Sequence, residues 1–320
     1  MDLTETKKIF SLLYPASDID TSKKFIFDSY ASYYEQVLES EKLLLLKSNK
    51  VIDLPFIDMR EKRMTEEAIK TKKTSYTSDS VNYKINKYGL RVSDKSPLLE
   101  RNLDIMTFGC SFTYGVGIPI EESWTELVFK NLNFKGLNFG YPGSSITKVI
   151  RHIINIVPFF RPKNIAILLP HFCREEIVYR EIDKDTMVTH DFIPGYLPTS
   201  NDDGGEEAKK FAYSLSFEDR KANVIKNLLL LKYMLQVNNI TLYVSSWDRE
   251  TYFIAKKIFS SKNVLPLFEC DVHDTTPWNL GRDGAHPGRK PLKIFANNVT
   301  DHILKYYESN KIAYHLNNNE

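Results

Sequence analysis

The sequence is short of the features that mark several large classes of protein. It has only three cysteines, Cys110, Cys173 and Cys270, widely spaced and odd in number. They form no CxxC pair, which excludes a disulfide framework and a cysteine-rich zinc site. Free thiols in a reducing compartment follow. Net charge is nearly absent as well. Lys plus Arg number 43 against 41 for Asp plus Glu, a balance of +2, so there is no bulk electrostatic case for nucleic acid. Long apolar runs are missing too. The longest, such as Ile165 to Leu169 and Leu228 to Leu231, are far short of the roughly 20 residues that cross a bilayer. The opening Met-Asp-Leu-Thr-Glu-Thr-Lys-Lys lacks the apolar region of a signal peptide. A soluble cytoplasmic protein is expected, with neither membrane nor nucleic acid as partner. His152, His190, His273 and His302 have no partner at metal spacing, so neither metal nor cofactor is expected.

What is present is a chain of 320 residues with 42% apolar content, enough for a sizeable core. Residues 1–80 read as a helical N-terminal extension. Phe27, Tyr30, Tyr34 and Val37 recur at helical spacing and predict a helix from Thr21 to Lys47. Asp58 to Lys73 is charge-rich and reads as a solvated helix face or a site for an acidic partner. Ser75 to Ser80 is polar and turn-like, a linker.

From residue 81 to 320 the pattern alternates. Strands are predicted at Leu103–Gly109, Gly136–Gly140, Asn164–Leu169, Ile240–Ser246 and Val264–Phe268. Between and after them fall amphipathic helices. Glu121–Leu132 carries Trp124, Val128 and Leu132, and Ser145–Val157 carries Ile146, Val149, Ile150 and Ile153. Ala222–Val237 carries Ile225, Leu228, Leu229 and Leu235, and Pro291–Tyr307 carries Phe295, Val299, Ile303 and Tyr306. Short apolar strands alternating with helices predict an α/β domain, a mostly parallel five-stranded sheet covered on both faces. Residues 181–207, rich in Pro, Gly and Asp, break the alternation and read as an insertion loop.

Three clusters carry chemistry. In Asp104-Ile-Met-Thr-Phe-Gly-Cys-Ser-Phe-Thr-Tyr-Gly-Val-Gly117 a buried strand delivers Ser111 on a tight turn. Ligands in such sheets bind beyond the carboxyl ends of the strands, so Ser111 is a candidate nucleophile. In Arg282-Asp-Gly-Ala-His-Pro-Gly288, Asp283 and His286 lie three residues apart in one loop. That spacing suits a carboxylate that fixes the tautomer of the histidine and leaves the other ring nitrogen for a serine proton; alternatively the pair caps the next helix. In Asn138-Phe-Gly-Tyr-Pro-Gly-Ser-Ser145 a strand turns into a helix. Gly143 there offers an unobstructed N–H to an oxyanion, or simply serves the turn.

In their order and context these blocks resemble the SGNH/GDSL hydrolase superfamily, over residues 82 to 306. Ile85-Asn-Lys-Tyr-Gly-Leu-Arg91 also looks like the segment before the nucleophile strand in that family. The resemblance implies a flavodoxin-like three-layer αβα sandwich and hydrolysis of a small-molecule or carbohydrate ester. Ser111 would match the nucleophile, His286 the base and Asp283 its orienting acid. The N–H groups of Ser111 and Gly143 would line the oxyanion hole. Two positions depart from the family. Cys110 stands where aspartate usually precedes the serine, and no asparagine follows the third strand. His171 or Arg174, in Ala166-Ile-Leu-Leu-Pro-His-Phe-Cys-Arg-Glu-Glu176, would supply that donor instead. Arg174 can equally bind a substrate carboxylate or pair with Glu175 or Glu176. Trp247, at the end of the fourth strand, is a candidate pocket wall or a core aromatic. An O-acyltransferase using the same triad, or an inactive binding or structural module of the same fold, are the competing readings.

Overall fold

The computed structural model describes residues 51–86, 90–93, 103–181, 186–192, 214–271 and 273–317. The helix expected over Thr21–Lys47 lies outside them. The centre of the molecule is a parallel sheet of four strands: β3 (Ile105–Gly109), β4 (Gly136–Gly140), β5 (Asn164–Leu169) and β8 (Thr241–Ser246), in the order β4-β3-β5-β8. Alternation along the strands divides the core. Met106, Phe108, Ile165, Ile167 and Val244 face α4 (Ile146–Phe160) and α5 (Phe217–Val237). Ile105, Ala166, Leu168 and Tyr243 face α3 (Trp124–Leu132) and α7 (Arg289–Asn317). Both faces are covered, which makes three layers and explains why the strands read as nearly continuous apolar runs.

The fifth expected strand does not form. Val264 makes only an isolated bridge to Val244. Leu265 N donates to Val244 O at 2.9 Å and Phe268 N to Ser246 O at 3.0 Å. Those donors are three positions apart but the acceptors only two, so the register slips between Leu265 and Phe268. Pro266 lies between the two donors. Its carbonyl is taken sideways by Ser245 Oγ at 2.6 Å.

Other differences trace to cap chemistry. Helix α5 starts at Phe217, earlier than apolar spacing predicts, because Ser216 and Asp219 form a reciprocal capping box. Its buried face carries Val224, Leu228, Leu231 and Leu235, while Ile225 and Leu229 are exposed. Helix α6 (Arg249–Ile258), absent from the apolar reading, is capped by Asp248 through Thr251 N. The beginning of the expected insertion loop is half of an antiparallel hairpin, β6 (Glu175–Glu181) with β7 (Thr186–Phe192). The β-branched Thr186, Val188 and Thr189 favour a strand there; residues 193–207 lie outside the described residues.

Residues 51–86 pack against this body. β1 (Ile52–Leu54) pairs with β2 (Tyr83–Ile85), and α1 (Met59–Lys70) lies between them in sequence. Leu54, Ile57, Val81, Tyr83 and Ile85 share a small core with Tyr114 and Val116. The charged face expected over 58–73 is largely exposed, but α1 buries Glu61, Thr65 and Ala68 along one side.

Candidate active site

Strand register gathers the candidates at one edge. Gly109 pairs with Gly140 and Leu168, and Leu168 with Ser245. The segments leaving β3, β4, β5 and β8 therefore emerge side by side at the carboxyl end of the sheet.

Ser111 opens α2 (Ser111–Tyr114), a single turn that directly follows the strand, and is 6% exposed. Asn138 holds that turn to β4: its Nδ2 donates to Thr113 O at 2.7 Å and to Thr125 Oγ1 at 3.2 Å. Cys110 is buried just before the serine.

Tyr141 to Gly143 follow β4 in a tight turn closed by Ser144 N donating to Tyr141 O at 3.2 Å. Gly143 has φ +81, the left-handed value that the third residue of a type II Pro-Gly turn requires. A side chain here would meet no atom within 4 Å, so backbone conformation, not crowding, makes glycine suitable. Among the described residues neither Ser111 N–H nor Gly143 N–H is spent on a backbone carbonyl. Ser145 caps α4 by accepting from Lys148 N at 3.1 Å.

The Asp283 carboxylate is almost fully used. Oδ1 accepts from Ala285 N at 3.1 Å and His286 N at 3.0 Å, and Oδ2 meets His286 Nδ1 at 2.5 Å. Burial pushes this carboxyl upward, but the His286 charge and these hydrogen bonds outweigh it and hold it at about 2. Asp283 is thus an anion that fixes the imidazole through Nδ1 and leaves Nε2 available. The pairing comes from loop geometry: Gly281 N donates to His286 O at 2.7 Å, and Gly284 turns with φ +67. A Cβ at Gly284 would lie 2.7 Å from Ala68 Cβ, so only glycine lets the loop press onto α1.

Phe112, next to Ser111, brings the two loops together. Its ring stands edge-on to His286 with centroids 5.8 Å apart. Among the described residues no hydrogen bond joins the Ser111 hydroxyl to the imidazole; such contacts often tighten only with substrate bound.

The segment after β5 is arranged differently. His171 Nδ1 accepts from Cys173 N at 3.0 Å, which places its proton on Nε2, 3.5 Å from Asp248 Oδ1. Burial pushes the His171 imidazole down, partly offset by the Asp248 charge. Among the described residues Arg174 makes no ion pair with Glu175; the side chain of Glu176 lies outside the described residues. Arg174 Nη1 reaches Ser144 O at 3.4 Å, its Cζ lies 5.3 Å from the centre of the Trp247 ring, and its Nε has no partner among the described residues. Glu175 instead faces Arg220, at 3.9 Å. Trp247 also packs on Phe112, with centroids 5.2 Å apart. Ser144, Arg174, Trp247 and Phe112 thus form a continuous wall from the Gly143 turn to the Ser111 turn. Trp247 also borders a cavity of about 540 Å³ lined by Phe268, Cys270, Asp271 and Lys290, which excludes Ser111, Asp283 and His286.

Sequence reasoning missed Phe112 as a bridge, and the buried set Glu61, Tyr83 and Arg282 beneath the DxxH loop. A signal existed for Glu61. Asp58-Met-Arg-Glu61 is a helix-start pattern, and Asp58 does accept from Glu61 N at 2.7 Å. Among the described residues no group of three or more His, Cys, Asp or Glu could hold a metal, and no helix is long and apolar enough to cross a membrane.

No family model matches the chain, and no curated protein matches it. Solved structures do. The psychrotrophic esterase EstA from Pseudoalteromonas sp. is 14% identical, covering 64% of this chain and 98% of its own, with a TM-score of 0.39. The acetyl xylan esterase Est2A from Butyrivibrio proteoclasticus is 13% identical over 68% of this chain and 66% of its own, with a TM-score of 0.39. A GDSL-like lipase from Bacteroides thetaiotaomicron is 13% identical over 66% of this chain and 92% of its own, with a TM-score of 0.32. The chain is similar to these enzymes over about two thirds of its length; its own chemistry has to be read from its own residues.

Proposed function

We propose that the chain is a serine ester hydrolase acting on a small-molecule or carbohydrate ester through Ser111, His286 and Asp283. The observation that carries this reading is the ionised Asp283 bonded to His286 Nδ1, with the imidazole packed against the residue that follows Ser111.

Ser111 Oγ attacks the ester carbonyl carbon and gives its proton to His286 Nε2. The carbonyl oxygen becomes an oxyanion, which the N–H groups of Ser111 and Gly143 stabilise. Arg174, beside the Gly143 turn, supplies the third donor in place of a neutral amide. His286 then protonates the leaving alcohol and the acyl group stays on Ser111. Water, deprotonated by His286, attacks the acyl carbon; the bond from that carbon to Ser111 Oγ breaks, His286 returns the proton to Oγ, and the acid leaves. Asp283 remains an anion throughout, stabilising the imidazolium.

The test is hydrolysis of a short-chain aryl acetate together with labelling by a fluorophosphonate. Wild type is expected to turn over and to label at Ser111. Ser111→Ala is expected to lose labelling and at least about 10³-fold in rate. Equal rates for the two would sink the proposal. Acyl transfer in preference to hydrolysis, on adding candidate alcohols, would turn it into a transferase.

A further inference from the structure

A closed ring of hydrogen bonds runs beneath the site. Glu61 Oε1 accepts from Tyr83 Oη at 2.6 Å and from Arg282 Nη2 at 2.8 Å. Tyr83 Oη accepts from Gly117 N at 2.8 Å. Gly117 O accepts from Arg282 N at 2.6 Å, which returns the path to its start. Glu61 is 5% exposed, and Tyr83 and Arg282 are 0% exposed.

The ring joins the two halves of the chemistry. Gly117 lies in the loop that leaves the Ser111 turn, and Arg282 immediately precedes Asp283. The two loops touch here: a Cβ on Gly117 would stand 3.2 Å from Asp283 Oδ1. Arg91 braces the same loop from its other side. Its Nη2 donates to Ile118 O at 2.7 Å, its Nη1 donates to Gly115 O, and its Cζ lies 4.4 Å from the centre of the Tyr83 ring.

Charge makes the arrangement more than a brace. A buried guanidinium without a counter-ion is costly and takes any acid within reach. Asp283 is its chain neighbour. Glu61 holds Arg282 instead, and the remaining Nη bonds go to the carbonyls of Pro55, Ser78 and Val81. The oxygens of Asp283 are thereby left to His286 and to two backbone N–H groups.

We infer that Glu61, Tyr83 and Arg282 are positioning residues for the ester hydrolysis proposed above, setting the separation of Ser111 from His286 and reserving the Asp283 carboxylate for the imidazole. The inference rests on the serine-hydrolase reading for its effect on rate. It makes the segment 51–86 part of the support of the site. Displacements of the order of 1 Å in reacting groups are enough to cost about 100-fold in rate.

Tyr83→Phe tests it most directly, because it deletes one hydroxyl and two ring bonds with little loss of volume. Well below both melting midpoints, kcat on an aryl acetate is expected to fall about 10- to 100-fold with KM unchanged. Labelling of Ser111 by a fluorophosphonate should slow in step. Tyr243→Phe is the control, since Tyr243 is equally buried but packs against Tyr306; it should leave kcat and labelling unchanged. Glu61→Gln keeps the shape and removes the charge that balances Arg282. The ring signals of His286, followed by NMR at one pH, should then move, because Arg282 without its counter-ion turns to Asp283 and disturbs the Asp283–His286 bond. A folded Tyr83→Phe with a lower melting midpoint but wild-type kcat, labelling and His286 ring signals would reduce the ring to a structural brace and overturn the inference. Failure of the hydrolase reading looks different: wild type itself would neither turn over nor label. The His286 ring signals of Glu61→Gln decide the ring in that case, displaced signals supporting it and unchanged signals overturning it.

Discussion

Two loops at the same sheet edge spend their hydrogen bonds in opposite ways. In the loop from Gly281 to Gly288 the Asp283 carboxylate has three partners, and the backbone is tied at both ends by 2.7 Å bonds, from Gly281 N to His286 O and from Gly288 N to Asn279 O. In the loop after β5 the Arg174 guanidinium has, among the described residues, one long bond of 3.4 Å to Ser144 O, a stack on Trp247 and an unpartnered Nε. Buried polar groups are ordinarily satisfied, so an exception invites a reason. The first loop is built to hold one geometry before substrate arrives. The second keeps donor capacity in reserve next to the Gly143 turn. Under the proposed hydrolysis a rigid acid-base pair and a cation with donors to spare suit these two places: one would stay fixed, and the other would meet a charge that develops only in the transition state.

The comparison predicts a hierarchy of losses. His286→Ala removes the proposed base and should cost the most, about 10⁴-fold or more in kcat on an aryl acetate. Arg174→Ala should cost less, about 10²- to 10³-fold, the usual loss for one oxyanion donor. Arg174→Lys should restore little, because an ammonium lacks the planar fork and stacks poorly on Trp247. If Arg174→Ala leaves kcat intact but raises KM for an ester bearing a carboxylate, the guanidinium binds substrate charge and the contrast between the loops changes meaning. An Arg174→Ala loss as large as that of His286→Ala would break it.

A second consequence is read in stability. Asp283 sits at about 2 in the folded chain against an ordinary 3.8. A depressed carboxyl contributes stability that is fully present above its unfolded value and is lost as pH falls through its folded value. Wild type should therefore lose stability, of order 2 kcal/mol, as pH falls from about 4 toward 2. Asp283→Asn should lack that part of the slope. Urea midpoints at several acidic pH values measure it, and parallel slopes for the two proteins would remove the anion from the account of the loop.

The same contrast explains what could be read from the chain in advance. Asp283 and His286 are three residues apart, so spacing alone predicts their hydrogen bond. The four sheet strands are short apolar runs whose type does not depend on distant partners. Val264–Phe268 reads as a strand, but its register against β8 slips by one residue after Leu265, which apolar content does not reveal. Glu61 was misread as part of a solvated face because its partners, Tyr83 and Arg282, lie 22 and 221 residues away. A buried charge is invisible in one sequence when the neighbour that neutralises it is supplied by the fold. Arg174 was legible as a candidate, but its stack on Trp247 and its reach to Ser144 depend on three strand exits lying level, which only the register supplies.

The smallest expected effect belongs to Trp247, and it sharpens the contrast most. Its ring supports Arg174 at 5.3 Å and touches Phe112 at 5.2 Å. Trp247→Leu keeps an apolar wall beside Phe112 but removes the aromatic face under the guanidinium. Cation–π support at a partly buried site is worth about 0.5–2 kcal/mol, so the loss should be about 2- to 30-fold in kcat/KM. That loss should largely vanish in an Arg174→Ala background, because the ring then has no cation to hold. A double-mutant cycle measures the coupling directly. Additive effects would mean that Trp247 serves the acyl wall or the neighbouring cavity independently of Arg174. Strong coupling would mean that the cation left unspent by hydrogen bonds is nonetheless held in place, by an aromatic face that leaves its donors available.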